Sequence, residues 1–528
     1  MRSGDLSIQL CPLGGSGGPN GPTKGAAKRN ADSTCGPRAH AQLRAMPVSP
    51  AYRPDPQYMA LGAEFADPVG VPAFPQSVIR FRNDRCAAAV CLETLTDEEW
   101  RAAFARFEPL PGNQPERLAM RYHGHQFGVY NPDLGDGRGF LFAQVREAGT
   151  NRLLDLGTKG SGRTPWSRTA DGRLTLKGGV REVLATEMLE ALGVPTSKSF
   201  SLVETGEELM RPDEPSPTRS AVLTRLSWSH IRFGTFQRHA YLDRPDLITA
   251  LIDHVVALYY PDLLPVEGEA RAPALLAAVA ARTARLLARW MAAGFVHGVL
   301  NTDHMNINGE SFDYGPYRFL PRNSPGFVAA YFDEAGRYAF GRQPDAVFWN
   351  LKQLAGTFRK VSPDEPLVEA LNGFVTLYED ELRLAILGRL GLAPRDHDAD
   401  FALVNAAFAA LAEGGEALRW EPFFFDWFGG LASEGRALAG PRAALYGQPA
   451  FLDFRGKLAG YQADRPERLA HPYFQASEPE ELLYDEIEAI WGAIAGHADD
   501  WGPFQAKVAR IAGAREAYDL RGDLSGQA

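Results

Sequence analysis

Cysteine is nearly absent. The chain has four in 528 residues, Cys11, Cys35, Cys86 and Cys91, all in its first fifth. That pattern excludes a disulfide framework and a four-thiolate zinc centre, and it fits a reducing cytoplasm. An uncharged apolar run long enough to span a bilayer is also missing. The most apolar long segment, Ala274 to Phe295, carries Arg282, Arg285 and Arg289, and charges are costly in hydrocarbon, so we read it as a soluble helix. Positive charge is in deficit, with 55 Lys and Arg against 65 Asp and Glu giving a formal net charge of −10 and a pI near 5.7. General affinity for nucleic acid or an anionic membrane is therefore not expected, because both partners need a basic face. No internal repeat with a period of roughly 20 to 50 residues is evident.

With 45% hydrophobic residues, the chain has apolar material for a large core or two lobes. Residues 1–45 are rich in Gly, Pro, Ser and basic side chains, lack a secretory apolar core or an import-type amphipathic period, and are expected to be disordered. Met46 opens a more ordinary beginning, MPVSPAYRPDPQYMALG, which raises the suspicion of an over-extended start. Residues 46–117 read as an N-terminal extension. Over 118–232, short β-like runs (139–145, 153–158, 200–204, 221–226) alternate with Gly-rich turns around one helix. Over 233–440, helical patterns dominate, at 247–259, 274–294 with Pro273 just ahead, 345–358 and 367–387. Residues 441–528 read as a helical extension packed on that helical half. Within it, Ser477 and Glu480 have capping-box spacing for a helix beginning at Ser477. The expected class is α+β with two lobes, a mostly β N-lobe and a helical C-lobe.

The stretch 297–320 reads HGVLNTDHMNINGESFDYGPYRFL. Asp303 and Asp313 flank a β-like segment there, and a short hairpin would bring both carboxylates to one cleft. Such a pair suits phosphate chemistry, one carboxylate accepting a hydroxyl proton and the other holding a divalent cation against the phosphates. Upstream, LGDGR places Gly135 and Gly137 ahead of an apolar strand, where backbone N–H groups can approach phosphate and Arg138 adds charge. A simple hairpin closure would look the same. Lys159 ends the strand-like LLDLGTK, and Glu182 falls in the first turn of a helix running to about Leu192. A strand lysine paired with a helix glutamate is how kinase-like lobes aim a lysine at phosphates, although either residue alone reads as surface charge.

Between them, Asp171 and Gly172 form a second Gly/Asp turn beside Arg163, Arg168 and Arg173, suited to a polyphosphate or to a solvated loop. Arg225 and Arg232 flank LSWSHI and can present two guanidiniums to one cleft or serve salt bridges. His123 and His125 alternate as on a strand, but without a third ligand in view we read them as structural rather than zinc-binding. Ordinary kinases carry His-Arg-Asp in the catalytic loop. Here Gly298 and Val299 follow His297, and the nearest carboxylate is Asp303, followed by His304. Either phosphotransfer is lost, or its acid–base work has moved to Asp303.

The segments YHGHQFGVYNPDLGDGR, KGSGRTPWSR, ADGR, VREVLATE, SHIRFGTF and HGVLNTDHM with FDYGP closely resemble the selenoprotein O family of kinase-like protein adenylyltransferases. The resemblance runs from about Tyr122 to Leu320, with weaker similarity through YFDEAGRYAFGRQP. It implies a kinase-like fold that binds ATP in reversed orientation and transfers AMP to Ser, Thr or Tyr hydroxyls of proteins, with UTP as a further candidate donor. It places nucleotide contacts on Gly135, Gly137, Arg138, Lys159, Asp171, Gly172, Arg225 and Arg232, with Glu182 as the lysine's partner. Asp303 becomes the proton acceptor, and Asp313 the ligand of Mg2+ or Mn2+ and a contact to ATP. Where the family usually has a metal-binding Asn, this chain has His304, which suits manganese better than magnesium. No cysteine follows Cys91, so redox control through carboxy-terminal thiols is not available. Two other readings stay open, a kinase transferring the γ-phosphoryl group and a catalytically silent nucleotide-binding scaffold.

Overall fold

The computed structural model describes Met46 and residues 48–520. The expectation of disorder over 1–45, and Cys11 and Cys35, lie outside those residues. Strands, in chain order, are β1 (Ala66–Val69), β2 (Val78–Arg82), β3 (Arg117–Met120), β4 (Gly124–Gln126), β5 (Val129–Asn131) and β6 (Leu141–Arg146). They continue with β7 (Leu153–Lys159), β8 (Leu174–Thr175), β9 (Lys198–Leu209), β10 (Thr218–Ser227), β11 (Phe295–Val296) and β12 (Arg318–Phe319). Helices begin with α1 (Asp84–Ala89), α2 (Asp97–Phe104), α3 (Leu176–Ala191), α4 (Phe233–Tyr241) and α5 (Pro245–Tyr259). There follow α6 (Arg271–Ala292), α7 (Gln343–Phe358), α8 (Asp364–Asn372), α9 (Phe374–Arg389) and α10 (His397–Gly414). The last are α11 (Trp420–Asp426), α12 (Glu434–Ala439), α13 (Pro449–Leu458), α14 (Tyr484–Ala495) and α15 (Gly502–Tyr518).

The β-favouring runs join one eight-stranded sheet, in the order β1, β3, β6, β7, β10, β9, β2, with β8 pairing β10, and the pairings are antiparallel. Its central strands β6, β7 and β10 are buried almost throughout, and the polar side chains they carry, among them Gln144, Asp155, Thr158, Lys159 and Arg225, are buried with the apolar ones. Both edge strands, β1 and β2, come from the segment read as an extension. Pro68 inside β1 is tolerated because edge strands can spare an N–H. Helix α3 lies across β9 and β10, burying Val180, Val183, Leu184 and Leu189.

The helical part is centred on α6, which packs against α7, α8 and α9. Its arginines lie along the margins of the buried stripe. Arg282 stacks on Tyr260 at 3.8 Å and Arg285 pairs with Glu381 at 3.0 Å. Among the described residues, no helix is long and apolar enough to cross a membrane.

Several element expectations need correction. Pro273 lies in the first turn of α6, not ahead of it, where a missing N–H is harmless. The single helix expected over 367–387 is broken at Gly373 into α8 and α9. The helix expected from Ser477 begins at Tyr484. Its would-be first turn contains Pro479, and the flanking carboxylates are taken elsewhere, Glu478 by Arg442 at 2.9 Å and Glu480 by Arg510 at 2.8 Å and by Lys507. The C-terminal region does not pack only on the helical part, since α15 returns to cover α3 beside the sheet. Cys86 is buried, and burial pushes its thiol up to about 11, so it is not a reactive nucleophile.

Glu310 joins the two parts, its Oε2 accepting from the Trp228 N–H at 2.9 Å. Burial pushes this carboxyl up to about 7 from an ordinary 4.5. Between those values the folded chain binds more protons than the unfolded one, so stability falls as pH rises. Glu310→Gln keeps an acceptor for Trp228 and removes that slope. Its melting temperature should gain several degrees on the parent's between about pH 4.5 and about pH 8. A difference independent of pH would show that Glu310 does not titrate in this way.

Candidate active site

Four segments, β7, β10, α3 and the loop of Asp313, meet at one face of the sheet. Lys159 ends β7, and β10 runs antiparallel beside it with Leu223 opposite Lys159 and Arg225 opposite Gly157. Alternation therefore puts Lys159 and Arg225 on one face. Helix α3 starts at Leu176, where the Thr175 side chain caps the Gly178 N–H at 3.1 Å. Glu182 thus sits in its second turn, not its first. There it pairs with Lys159, whose Nζ also donates to Asp313.

Asp313 occupies the left-handed backbone region at φ +65°, which aspartate tolerates better than most residues. Burial alone would raise its carboxyl, but Lys159 and Arg225, the latter at 3.6 Å, together with His304 and Arg138, hold it well below the usual carboxylate range. Arg138 itself is half exposed, 3.9 Å from Asp313.

No hairpin joins Asp303 to Asp313. Asp303 lies in a short 3-10 turn, Thr302–His304, held by neighbours on two elements. Thr302 Oγ1 accepts from the His125 N–H of β4 at 2.7 Å and donates to Gln237 of α4 at 2.6 Å. Arg232 Nη1 donates to the Asp303 carbonyl at 2.9 Å, and the Phe233 N–H donates to the Met305 carbonyl at 3.0 Å. A Cβ on Gly124 would lie 3.1 Å from Asp303 Oδ1, so the missing side chain eases this close approach of β4. That oxygen is buried and makes no hydrogen bond within the protein.

His304 links the two carboxylates. Its Nδ1 lies 2.8 Å from the Val299 carbonyl, which can only accept, so the proton sits on Nδ1. Nε2 lies 3.8 Å from Asp303 Oδ2 and 3.6 Å from Asp313 Oδ2. Among the described residues, no group of three or more His, Cys, Asp or Glu side chains forms a metal site by itself. His123 and His125 are held by Tyr130 and Gln237 respectively, both at 2.8 Å. Burial drives them down to about 3 and about 4, so both are neutral at ordinary pH.

The carboxylates and Arg232 line a cleft of about 670 Å³ that is also walled by the two glycine turns, a size suited to a nucleotide. The glycines act differently from their sequence reading. A Cβ on Gly135 would run into the Trp166 ring, and one on Gly137 would meet the Trp166 carbonyl at 2.9 Å. They let the 163–172 loop pack against the 134–138 turn. Gly172, at φ +72°, in turn abuts the backbone of Gly162 and Arg163. Asp171 receives Arg211 through two bonds of 2.8 and 3.1 Å and the Arg173 N–H at 2.9 Å.

Arg225 and Arg232 are 4% exposed, and Phe312 stacks on both guanidiniums, at 5.7 and 4.9 Å. Arg225 Nε and Nη1, and Arg232 Nε, have no hydrogen-bond partner. Buried donors of this kind suit an anion.

Sequence reasoning did not single out Tyr122, which stacks on Arg232 at 4.4 Å, or Asp136, 3.3 Å from the same arginine. Trp166 and Arg211 were also missed. Asp136 stood between the two quoted glycines and was the one recoverable from local pattern.

The profile of the family described as Protein adenylyltransferase SelO matches residues 51–512. The chain belongs to this family. Among its relatives, the Protein nucleotidyltransferase YdiU of Synechocystis sp. is 44% identical over 476 residues, covering 87% of this chain and 97% of the relative. The protein of that name from Synechococcus elongatus is 54% identical over 341 residues, 64% of this chain and 68% of the relative. The one from Gloeobacter violaceus is 45% identical over 472 residues, with 87% and 94% covered. The SelO match takes in every candidate residue named above, from β4 to Asp313.

The glycine packing yields a direct test. Gly135→Ala should displace Trp166 and the 163–172 loop, lowering ATP affinity by about tenfold or more and depressing the melting temperature. Calorimetric titration reads the first and thermal unfolding the second. ATP affinity equal to the parent's would show that the loop plays no part in nucleotide binding.

Proposed function

We propose that this protein transfers AMP from ATP to serine, threonine or tyrosine hydroxyls of other proteins, with UTP as a second donor, in the cytoplasm. The observation that carries this reading is the pair of unlike carboxylates in one cleft. Asp313 is wrapped by cations, whereas Asp303 presents a buried oxygen with no hydrogen-bond partner. Family membership gives the reaction class, and the geometry supports the division of roles.

In the reading supported here, the sheet with α3 and the helical part correspond to the two lobes of a kinase-like fold. The Lys159–Glu182 pair and the Asp-Tyr-Gly turn at Asp313 support that correspondence. The glycine turns with Gly135, Gly137 and Gly172 shape the cleft wall, while Asp171 positions Arg211 beside it. Lys159, Arg138, Arg225 and Arg232 neutralise the phosphates.

The acceptor oxygen forms its bond to the α-phosphorus as its proton passes to Asp303. The bond from the α-phosphorus to the bridging oxygen breaks, and pyrophosphate leaves with the electron pair. Arg225 and Arg232 are placed to stabilise that leaving charge. The donor set of Asp313 and His304 fits a divalent ion completed by phosphate oxygens and water. Bound there, magnesium or manganese would supply charge neutralisation to the phosphates.

ATP labelled separately at the α- and γ-phosphates tests the reaction. Covalent label should follow the α-phosphate, with AMP-sized mass additions; additions of phosphate mass alone would sink this reading in favour of a kinase. Asp313→Ala should abolish metal-dependent nucleotide binding, whereas Asp303→Ala should bind nucleotide and lose turnover by several orders of magnitude. Equal loss of binding in two folded variants would end the division of roles.

His304 gives a sharper readout. His304→Asn should raise the ratio of magnesium- to manganese-supported transfer, because an amide oxygen suits magnesium better than an imidazole nitrogen. An unchanged ratio at unchanged stability would place His304 outside the coordination sphere.

A further inference from the structure

Beside the acceptor carboxylate, the surface changes character. Phe127, Val129, Tyr331 and Phe332 are 37, 71, 82 and 47% exposed, from two separate chain segments. Three of them form one aromatic group. Phe127 meets Phe332 edge-on at 5.9 Å, and Phe332 meets Tyr331 at 5.1 Å. Single exposed apolar residues need no explanation, but a contiguous group on a soluble surface marks contact with a partner.

The group is fastened to the loop that carries Asp303. Asn301 Oδ1 accepts both the Phe127 N–H at 3.0 Å and the Tyr338 hydroxyl at 2.8 Å. Asp333 then receives the N–H groups of Arg337 and Tyr338, each at 2.8 Å, closing the turn that follows Tyr331 and Phe332. Phe127 (φ +51°) and Gly128 (φ +85°) are the two central residues of the β4–β5 hairpin, which pairs Gln126 with Val129. That turn presents the Phe127 ring at the surface, with one side on the buried Tyr338 at 5.0 Å and the other partly in solvent.

Position fixes the occupant. Gly124 touches Asp303, Gln126 lines the cleft, and Phe127 is the next residue. At about 3.3 Å per extended residue, the platform begins roughly 10 Å from the acceptor carboxylate. An extended chain with its hydroxyl at Asp303 reaches that platform with a side chain two to four residues away. We propose that Phe127, Tyr331 and Phe332 form the docking surface for the acceptor protein, selecting an extended segment that carries an apolar or aromatic side chain two to four residues from the modified hydroxyl. This deepens the adenylyltransferase reading and rests on it.

The test uses synthetic peptides with one central serine, threonine or tyrosine and each flanking position fixed in turn as Phe, Leu, Lys or Glu, together with α-labelled ATP. The parent should label peptides with Phe or Leu two to four residues from the hydroxyl on the order of tenfold better than those with Lys or Glu there, the worth of burying one apolar side chain. The double variant Tyr331→Ser, Phe332→Ser should lose that preference and raise the KM for peptide, with kcat and ATP affinity unchanged. Both residues are exposed, and unchanged ATP affinity checks that the variant is folded.

Labelling without apolar preference in the parent, or a preference that survives the double variant, overturns the docking surface alone. Sedimentation that changes in the variant while peptide preference persists overturns it in favour of an interface between two copies of this chain. Absence of α-label from every peptide, with ATP still bound, overturns the adenylyltransferase reading and the docking surface together.

Discussion

Lys159 Nζ donates to Glu182 and to Asp313 where its own side chain is 4% exposed and that of Glu182 only 1%. Two carboxylates and one ammonium cannot be taken out of water cheaply. Their mutual attraction repays the desolvation only if all three stay in register, and deleting one partner of such a group typically costs about 3–5 kcal/mol. The contribution to stability is therefore less telling than the constraint on geometry. The three side chains come from a strand, a helix and a loop, so the pairing ties the pleat of β7, the rotation of α3 and the left-handed turn at Asp313 to one another.

The same arrangement separates the two carboxylates by environment. Asp313 has Lys159, Arg225 and Arg138 around it, whereas Asp303 Oδ1 is buried without a hydrogen-bond partner in the protein, and His304 Nε2 lies near both carboxylates. Pairs of carboxylates with unlike surroundings are how one cleft can hold charge at one oxygen and accept a proton at another. Asp303 owes its place to backbone anchoring, because Arg232 and Phe233 grip the carbonyl of Asp303 and that of Met305 rather than the carboxylate. The side chain is positioned while its Oδ1 makes no hydrogen bond within the protein.

The sequence made the charged centre legible through the order of its residues. Lys159 or Glu182 alone reads as surface charge, but a strand lysine, a helix glutamate and an Asp-Tyr-Gly turn in that order point together to phosphate chemistry. What stayed hidden was tertiary. LTLKGG conceals the start of α3, since two glycines read as a turn until Thr175 is seen capping the first of them. Gly135 and Gly137 look like a phosphate cradle, yet the atoms nearest their missing side chains belong to Trp166, about 30 residues downstream. Arg211, two residues past the end of β9, lines the cleft and bonds Asp171 from 40 residues away in the chain, and no local period encodes that. Nor could periodicity say that α15 turns back onto α3.

The arginines show why a rigid site was built here rather than an adaptable one. A lysine ammonium would follow a phosphate through many rotamers, whereas the Arg225 and Arg232 guanidiniums are fixed planes held against Phe312, with Tyr122 on Arg232. Their ring contacts hold direction without consuming N–H donors, so orientation and donor capacity are kept together. In the proposed reaction, that means the groups facing the leaving pyrophosphate need little reorganisation as charge develops, which is where preorganised donors contribute most to rate. The aromatic residues beneath the arginines thus belong to the phosphate chemistry as much as the charges do. They carry no charge themselves, and sequence motifs built on charge pass them over.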